Sequence, residues 1–407
     1  MSKFNVLVAI SDGKSFARAS SLKILVVCQA LDLSIRHLGI TPAWWQIMKG
    51  LYEAGAELVA VPYIGRGMDS LWWSSYENPS LLEYKAYDKF ERALTLVSRM
   101  NRMVARQTTQ SIIRPLAHAI ASSNWPKCLD RILELEGDVE AILILTVPIN
   151  HLNGVVAKVK KHHRIPVVYY DGDTPTSLPR HGGLSLSYYD GADISEYDAF
   201  MVNSKGVVPE LVRMGAKEVH VVYWGVDPEV FRPSTQKQFD YDVSFYGIGS
   251  RLREQWIREM ISYPSLEMNK ERFVVGGSSF NVELGNAIYE PKASYMAISR
   301  RSKICLNIVR KPHAETYGSS ICRVFELASM GCCVVSNPYL GIEEWFDIGK
   351  EMFVVHSQTE ATELYRKLLI DDDLRRTVGD AARVRVRNEH TNLHRGQQIL
   401  EILKHLS

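Results

Sequence analysis

Residues 323–337 constrain the fold more strongly than any other stretch of the sequence. The first half carries apolar residues at helical spacing, Val324, Leu327 and Ala328. Gly331 follows, where the end of a helix favours a residue that tolerates a positive φ. Residues 332–335 are a short apolar run, typical of a parallel strand that is covered on both faces. The stretch therefore predicts a helix that leads into a buried parallel strand.

The flanking segments extend this pattern into half of a doubly wound α/β fold. Residues 304–309 form another apolar run, and residues 310–320 follow as a polar loop that contains Ser319 and Ser320. In such folds, ligands bind beyond the carboxyl ends of the strands and against helix N-termini. We therefore expect this loop and its paired serines to contact a ligand.

Glu326 is a carboxylate near the start of an otherwise apolar helix. A favourable interaction with the positive end of the helix, with the side chain in water, would be sufficient to explain it. The loops on either side favour the other interpretation, in which Glu326 contacts a bound ligand.

Several positions in the C-terminal half form a family pattern: Leu306, Asn307, Arg323, Phe325, Glu326, Gly331, Pro338, Gly341 and Glu344. This pattern resembles the group-1 glycosyltransferases of the GT-B fold, and within them the spore-maturation-type subgroup. The resemblance implies two Rossmann-like domains that face a cleft, with Glu326 on the ribose of a nucleotide-sugar donor. Many members carry a second glutamate eight residues earlier, where this chain has Gly318. Glu315 is the nearest acid.

The length of 407 residues suits two domains. Residues 225–233 match the interdomain linker of the same family. We expect an acceptor-side domain over residues 1–226, a nucleotide-sugar-binding domain over 227–390, and a C-terminal helix over 391–407 that returns to the first domain. The chain is 46% apolar and 23% charged, with a net charge of +2. No apolar run reaches the length of a membrane span, so we expect a cytoplasmic protein.

Gly247 and Gly249 precede Arg251 and Arg253 at a predicted strand-to-helix turn. Backbone N–H groups at a helix start bind anions, and a guanidinium can donate two parallel hydrogen bonds. These four residues are therefore predicted to bind the donor diphosphate; a salt-bridged helix surface is the alternative. A dinucleotide fingerprint would need a third glycine at Leu252.

The resemblance adds two further candidates in the C-terminal half. Gly276 lies in a loop where family members hold the nucleotide base. Arg323 would stabilise the negative charge that develops on the leaving diphosphate. Members of the family need no metal for this step, so the donor, a UDP- or GDP-sugar, is expected as a substrate without a cofactor.

Asp171 and Asp173 form a D-x-D sequence directly after an apolar run. This motif binds a divalent metal in glycosyltransferases of the GT-A fold, but the GT-B pattern argues against a metal site here. We interpret the two aspartates as cleft carboxylates that face the acceptor, with a strand-end turn as the alternative. His181, in the next loop, is either a catalytic cleft residue or an ordinary loop histidine.

The stretch from residue 92 to residue 129 contains no acid but several basic residues: Arg92, Arg99, Arg102, Arg106, Arg114 and Lys127. Such a helix face can be simply solvated. It could also contact an anionic acceptor that is membrane-associated, phosphate-bearing or a nucleic acid.

The sequence thus predicts metal-independent, retaining transfer of a hexosyl group from a nucleotide-diphosphate sugar to an acceptor in the cleft. Two alternatives stay open. One is a GT-B sugar-nucleotide epimerase or hydrolase. The other is a non-catalytic protein that binds a nucleotide sugar or nucleic acid, suggested by the missing first glutamate and the acid-free run.

Overall fold

The computed structural model describes residues 21–32, 42–81, 114–181, 188–234 and 238–407, and only the backbone for residues 114–122. Most of the acid-free run lies outside these ranges. Among the described residues, no helix is both long and apolar enough to cross a bilayer.

A parallel sheet organises the N-terminal half. Its strands are β1 (Lys23–Ala30), β2 (Glu57–Ile64), β3 (Ser74–Ser75), β4 (Ala141–Leu145), β5 (Val167–Asp171), β6 (Ala199–Val202) and β7 (Val219–Val221). Their spatial order is β3-β2-β1-β4-β5-β6-β7. The described helices of this half are α1 (Ala43–Glu53), α2 (Arg114–Glu136), α3 (Val155–His162) and α4 (Val208–Met214). Short 3₁₀ turns connect them at Ile149–Leu152, Pro179–His181, Ile194–Glu196 and Lys205–Val207.

A second parallel sheet organises the C-terminal half. Its strands are β8 (Tyr241–Ile248), β9 (Phe273–Ser278), β10 (Ile288–Glu290), β11 (Ser302–Asn307), β12 (Cys333–Ser336) and β13 (Phe353–Val354). Their order is β10-β9-β8-β11-β12-β13, so the direction of winding reverses between β8 and β11.

The helices of this half cover both faces of its sheet. They are α5 (Glu254–Ile257), α6 (Tyr263–Glu267), α7 (Tyr295–Arg300), α8 (Lys311–Ala314), α9 (Cys322–Ser329), α10 (Gln358–Ile370), α11 (Asp372–Glu389) and α12 (Asn392–Leu406). A π-helical turn, Arg258–Ser262, joins α5 to α6, and a 3₁₀ turn spans Ile342–Glu344.

The apolar runs of the sequence account for most of these strands. All residues of β4, β5, β6 and β12 are buried, as expected for parallel strands with helices on both faces. Gly331 follows α9 with a φ of +73°, which confirms the predicted helix end. Two doubly wound sheets confirm the predicted fold class.

The chain crosses between the two halves at two neighbouring points, Val226 and Thr391, which form a parallel β-bridge. The Val226 N–H donates to the carbonyl of His390 at 3.1 Å, and the Asn392 N–H donates to the carbonyl of Val226 at 2.9 Å. After the second crossing, α12 packs against α1 of the first half, as predicted for the C-terminal helix.

The crossing of α1 and α12 depends on two glycines. A Cβ on Gly396 would lie 2.3 Å from the carbonyl oxygen of Gly50, and one on Gly50 would lie 2.1 Å from the carbonyl oxygen of Asn392. Both distances are far below van der Waals contact. The two backbones can therefore approach this closely only because neither residue has a side chain.

We expect Gly396→Ala to lower the free energy of unfolding by about 1–3 kcal/mol, the usual cost of overpacking. Helix propensity alone would change stability in the opposite direction, by up to about 1 kcal/mol. Chemical denaturation measures the difference, with the exposed neighbour Gln397→Ala as the control. A stabilised Gly396→Ala variant would contradict the close packing.

Candidate functional site

Two loops meet at the carboxyl ends of β8 and β11, where the winding of the second sheet reverses. The backbone N–H of Lys311 donates to the carbonyl of Leu252 at 2.9 Å, which joins the loop after β8 to the loop after β11. The start of α9 lies at the same edge, because α9 follows the second loop. In doubly wound folds this position is the usual ligand site.

Three guanidinium groups converge at this edge, those of Arg253, Arg310 and Arg323. Burial lowers the pKa of Arg253 well below its usual value, and the positive charges of Arg323 and Arg310 add to the effect. Burial also lowers the pKa of Arg310; Asp173 opposes this shift and Arg323 adds to it. The charges of Arg310 and Arg323 thus act on Arg253, and that of Arg323 acts on Arg310, which places the three cations close together. We call them the arginine cluster.

Carbonyl groups at the strand ends hold two members of the arginine cluster in place. Arg253 donates from Nε to the carbonyl of Ile308 at 2.8 Å and from Nη1 to the carbonyl of Ile248 at 3.0 Å. Arg323 donates from Nη1 to the carbonyl of Tyr246, and its guanidinium lies 5.5 Å from the centre of the Tyr295 ring. The Arg323 Nε is buried and has no hydrogen-bond partner among the described residues.

The predicted glycines lie around this edge and permit close packing. A Cβ on Gly247 would lie 2.8 Å from Nη1 of Arg323, and one on Gly249 would lie 2.4 Å from the Phe280 ring. A Cβ on Gly276 would lie 2.6 Å from Tyr246. Gly247 therefore makes room for an arginine of the cluster, whereas Gly249 and Gly276 make room for aromatic side chains.

Glu326 is buried, with 6% of its surface exposed, so it does not face water as one interpretation of the sequence proposed. Burial raises its pKa to about 7; interactions with Arg323, Tyr295 and Gln46 lower the pKa but do not offset burial. Gln46 belongs to α1 of the first half. The carboxylate therefore lies where α9, α7 and α1 meet.

Ser319 and Ser320 lie in a contact between the two halves. The Lys205 N–H donates to the carbonyl of Gly318 at 3.0 Å, and the Ser320 N–H donates to the carbonyl of Asn203 at 2.9 Å. We call residues 203–206 and 317–320, with the hydrogen bonds between them, the interdomain strap.

The hydroxyl groups of both serines are engaged within this region. The Ser320 Oγ donates to the carbonyl of Asn203 at 3.0 Å and accepts from the Trp224 N–H at 2.9 Å. The Ser319 Oγ lies 2.9 Å from Nδ1 of His313. Donor contacts by these two serines stay a prediction.

Gly318, which stands where the resembled family often has a glutamate, lies in the interdomain strap. Gly318 has a φ of +57°, and a Cβ there would lie 3.1 Å from the Lys205 side chain and from the Tyr223 hydroxyl. The carboxylate of Glu344 lies nearby and accepts from Tyr223 at 2.5 Å and from Lys205 at 2.9 Å. Glu315 is exposed and lies 3.7 Å from Lys311.

On the side of the first half, Asp171 and Asp173 have different surroundings. Asp171 is fully buried and accepts hydrogen bonds from Ser177 at 2.6 Å and Tyr189 at 2.7 Å. Burial raises its pKa to about 6. It also accepts from the N–H of Asp173 at 2.9 Å, so it orders the turn after β5. Asp173 is the aspartate whose charge acts on Arg310 across the cleft.

Two histidines lie on opposite sides of the same cleft. Burial lowers the pKa of His181, Arg180 adds to the effect, and Glu210 and Glu315 oppose it. His313 is 2% exposed, and burial together with Arg310, Arg253 and His181 lowers its pKa well below the usual value. Their Nε2 atoms have no hydrogen-bond partner among the described residues.

The structure thus brings together Arg253, Arg323, Glu326 and His181 from the predicted set, and it adds residues that sequence reasoning missed. Arg310 and His313 were not predicted, although they lie in the polar loop that was expected to contact a ligand. Arg251 is exposed and lines a cavity that no member of the arginine cluster lines. Within the described ranges, no group of three or more His, Cys, Asp or Glu residues could hold a metal ion.

Comparisons with known proteins support the architecture. Residues 253–401 match a family model described as glycosyl transferase-like. A search of curated proteins finds no match.

Solved structures resemble the chain over nearly its whole length. A glycosyltransferase from Rickettsia africae has a TM-score of 0.59 at 11% identity and covers 95% of this chain and 99% of its own. Sucrose-phosphate synthase from Thermosynechococcus elongatus has a TM-score of 0.61 at 11% identity, with the same coverage. HepE from Anabaena, solved with UDP, has a TM-score of 0.57 at 14% identity and covers 95% of this chain and 100% of its own. The fold is GT-B.

The buried carboxyl of Glu326 makes stability depend on pH. Its pKa is raised from 4.5 to about 7, so the folded state holds this proton more tightly than the unfolded state does. The stabilisation that comes from holding this proton more tightly in the folded state is fully present below pH 4.5. It is lost as the pH rises through 7. Glu326→Gln should therefore gain stability relative to the wild type between pH 5 and pH 8, by up to about 3 kcal/mol.

Urea denaturation at the two pH values measures this gain. The exposed helical residue Glu363→Gln is the matched control, for which we expect no such gain. If the difference in free energy of unfolding between wild type and Glu326→Gln stayed constant with pH, the pKa of this carboxyl would not be raised by folding.

Proposed function

We propose that the protein transfers a hexosyl group from a nucleotide-diphosphate sugar, with UDP or GDP as the nucleotide, to an acceptor held in the cleft between its two halves. The arginine cluster at the carboxyl ends of β8 and β11, where the winding of the second sheet reverses, supports this proposal most directly. None of its three members forms a salt bridge with a described carboxylate. A diphosphate would add negative charge beside the three cations, and guanidinium groups bind phosphate oxygens in a bidentate manner.

Each member of the site would have a separate role. Arg253, Arg310 and Arg323 would bind the diphosphate and stabilise the charge that it gains as the glycosidic bond breaks. Glu326, in its ionised form, would accept hydrogen bonds from the ribose hydroxyls. The reported complexes of HepE with UDP, UDP-glucose, and UDP together with glucose support such a donor.

The first half would contribute the acceptor side. Asp173 and His181 lie across the cleft from the arginine cluster, close enough for their charges to act on Arg310 and His313. Asp171 would hold Asp173 in position through the turn after β5. A carboxylate and a largely neutral imidazole are suitable partners for the hydroxyl group of an acceptor.

The finer features of the proposal follow from the family resemblance. We propose retention of the anomeric configuration, no requirement for a metal, a relation to the spore-maturation-type subgroup, and a cytoplasmic location. We also propose domain bounds at residues 1–226, 227–390 and 391–407. The two chain crossings at Val226 and Thr391 support these bounds.

If this donor site is correct, substitutions in it should lower the affinity for the nucleotide sugar. Arg310→Gln should raise the Kd of UDP-glucose or GDP-mannose about 10- to 100-fold, because a charged hydrogen bond contributes about 1.5–3 kcal/mol. Glu326→Ala should have an effect of the same size. Calorimetric titration measures both, with the exposed Arg258→Gln as the control. Unchanged affinity in folded Arg310 and Glu326 variants would remove these residues from the site.

Metal independence is tested by chelation. Because the arginine cluster would supply the positive charge at the diphosphate, slow release of UDP from UDP-glucose should continue in EDTA. This assay needs no acceptor. Complete loss of turnover in EDTA, restored by Mn²⁺, would instead point to a metal site at Asp171 and Asp173.

A further inference from the structure

A cavity of about 1000 Å³ lies in the second half, beside the carboxyl ends of β12 and β13. Lys311 and Ala314 of α8 line it, whereas His313 of the same helix is buried elsewhere. No member of the arginine cluster lines it, and neither does Glu326. The cavity is therefore distinct from the proposed donor site.

The walls of the cavity are largely aromatic and aliphatic. Tyr339 and Ile342 are buried in its wall, and Trp256 is half-buried there. Large apolar side chains remain exposed along its edge: Leu252, Tyr317, Leu340 and Ile348. Contiguous exposed apolar surface beside a cavity is typical of a binding site.

Hydrogen-bond donors and hydrogen-bond acceptors both lie around these walls. Arg251 and Lys311 bring hydrogen-bond donors, Glu315 and Glu343 bring acceptors, and Gln255 can act as both. The two basic side chains and the two acidic ones are all exposed at the cavity. Donors and acceptors are therefore balanced around an aromatic surface.

We propose that this cavity binds the sugar chain of the acceptor, as a neutral saccharide, an inference that rests on the proposed function. A sugar hydroxyl both donates and accepts hydrogen bonds, so it can satisfy the basic and the acidic side chains together. The C–H faces of a sugar ring pack against aromatic rings such as Trp256 and Tyr317.

The same composition disfavours other ligand classes. Glu315 and Glu343 would repel an anionic ligand, and Arg251 and Lys311 would repel a cationic one. A hydrocarbon would cover charged groups without offering them hydrogen bonds, which is costly. A neutral polyhydroxylated molecule avoids both penalties.

The cavity also leads towards the cleft. The charge of Glu315 raises the pKa of His181, so the edge of the cavity lies near the acceptor side of the cleft. Tyr317 belongs to the interdomain strap and lines the cavity as well. A saccharide bound in the cavity would therefore extend past Glu315 towards His181, where its terminal residue would accept the transferred group.

Calorimetric titration of the full chain with maltotriose, cellotriose and triacetylchitotriose tests this proposal. We expect at least one of these neutral trisaccharides to bind with a millimolar Kd. Glu343→Gln should weaken that binding at least threefold and Trp256→Ala at least tenfold, whereas UDP affinity should change less than twofold in both variants. Tyr263→Ala, an exposed tyrosine that does not line the cavity, is the matched control.

The exposed Glu343 variant keeps the test decisive, because Trp256 also packs against the core and its removal could unfold the protein. Failure of the wild type to bind any of the three probes at 20 mM would overturn the proposal. So would equal binding by wild type and both cavity variants, or a preference for an anionic trisaccharide. A wild type that does not bind UDP would contradict the proposed donor function instead. The two failures are distinguishable, because only trisaccharide binding tests the role of the cavity.

Discussion

The interdomain strap holds the loop and the helix that carry four groups of the proposed site. The loop after β11 carries Arg310 and His313, contributes residues 317–320 to the strap, and then enters α9 with Arg323 and Glu326. Backbone hydrogen bonds from Lys205 and Gly206 hold this loop against the first half. Such bonds contribute about 1 kcal/mol each in net terms, but leaving one unmade in a buried contact costs more. The first half therefore orders the loop of the second half to which the proposed function assigns donor binding.

Gly318 stands in this strap at the position where the resembled family often has a glutamate. At Gly318 the backbone is in the left-handed region and lies against Lys205 and Tyr223, so a glutamate there would be strained and tightly packed. The charge that such a residue would bring is present beside it, on Glu344, but Glu344 is engaged with the same Lys205 and Tyr223. In this chain the carboxylate connects the two halves.

The sequence predicted the sheets well because parallel strands covered on both faces are apolar throughout. It missed β3 and β10, which are short and carry exposed or half-buried residues, so no apolar run marks them. Arg323 and Glu326 could be predicted as candidates because they lie on a patterned helix. Arg310 and His313 were missed because their proximity to Arg253 arises only when the loops after β8 and β11 meet in space.

The arginine cluster also carries a cost that a ligand would remove. Burial and repulsion from neighbouring arginines lower the pKa of Arg253 and Arg310, so these cations destabilise the unliganded fold. A diphosphate bound only by the native state would offset this cost and raise stability by mass action. Local destabilisation that a ligand relieves is expected at a functional site.

His313 shows how the loop limits that cost. It lies among the arginine cluster and His181, and a charged imidazole there would add a further positive charge to a poorly hydrated region. Burial and these neighbours instead keep its pKa well below the usual value, so the ring is neutral near pH 7. A neutral ring retains one donor and one acceptor nitrogen, and its Nδ1 is engaged with Ser319. The loop thereby gains a hydrogen-bonding group beside the arginine cluster without increasing the repulsion that an anionic ligand must overcome.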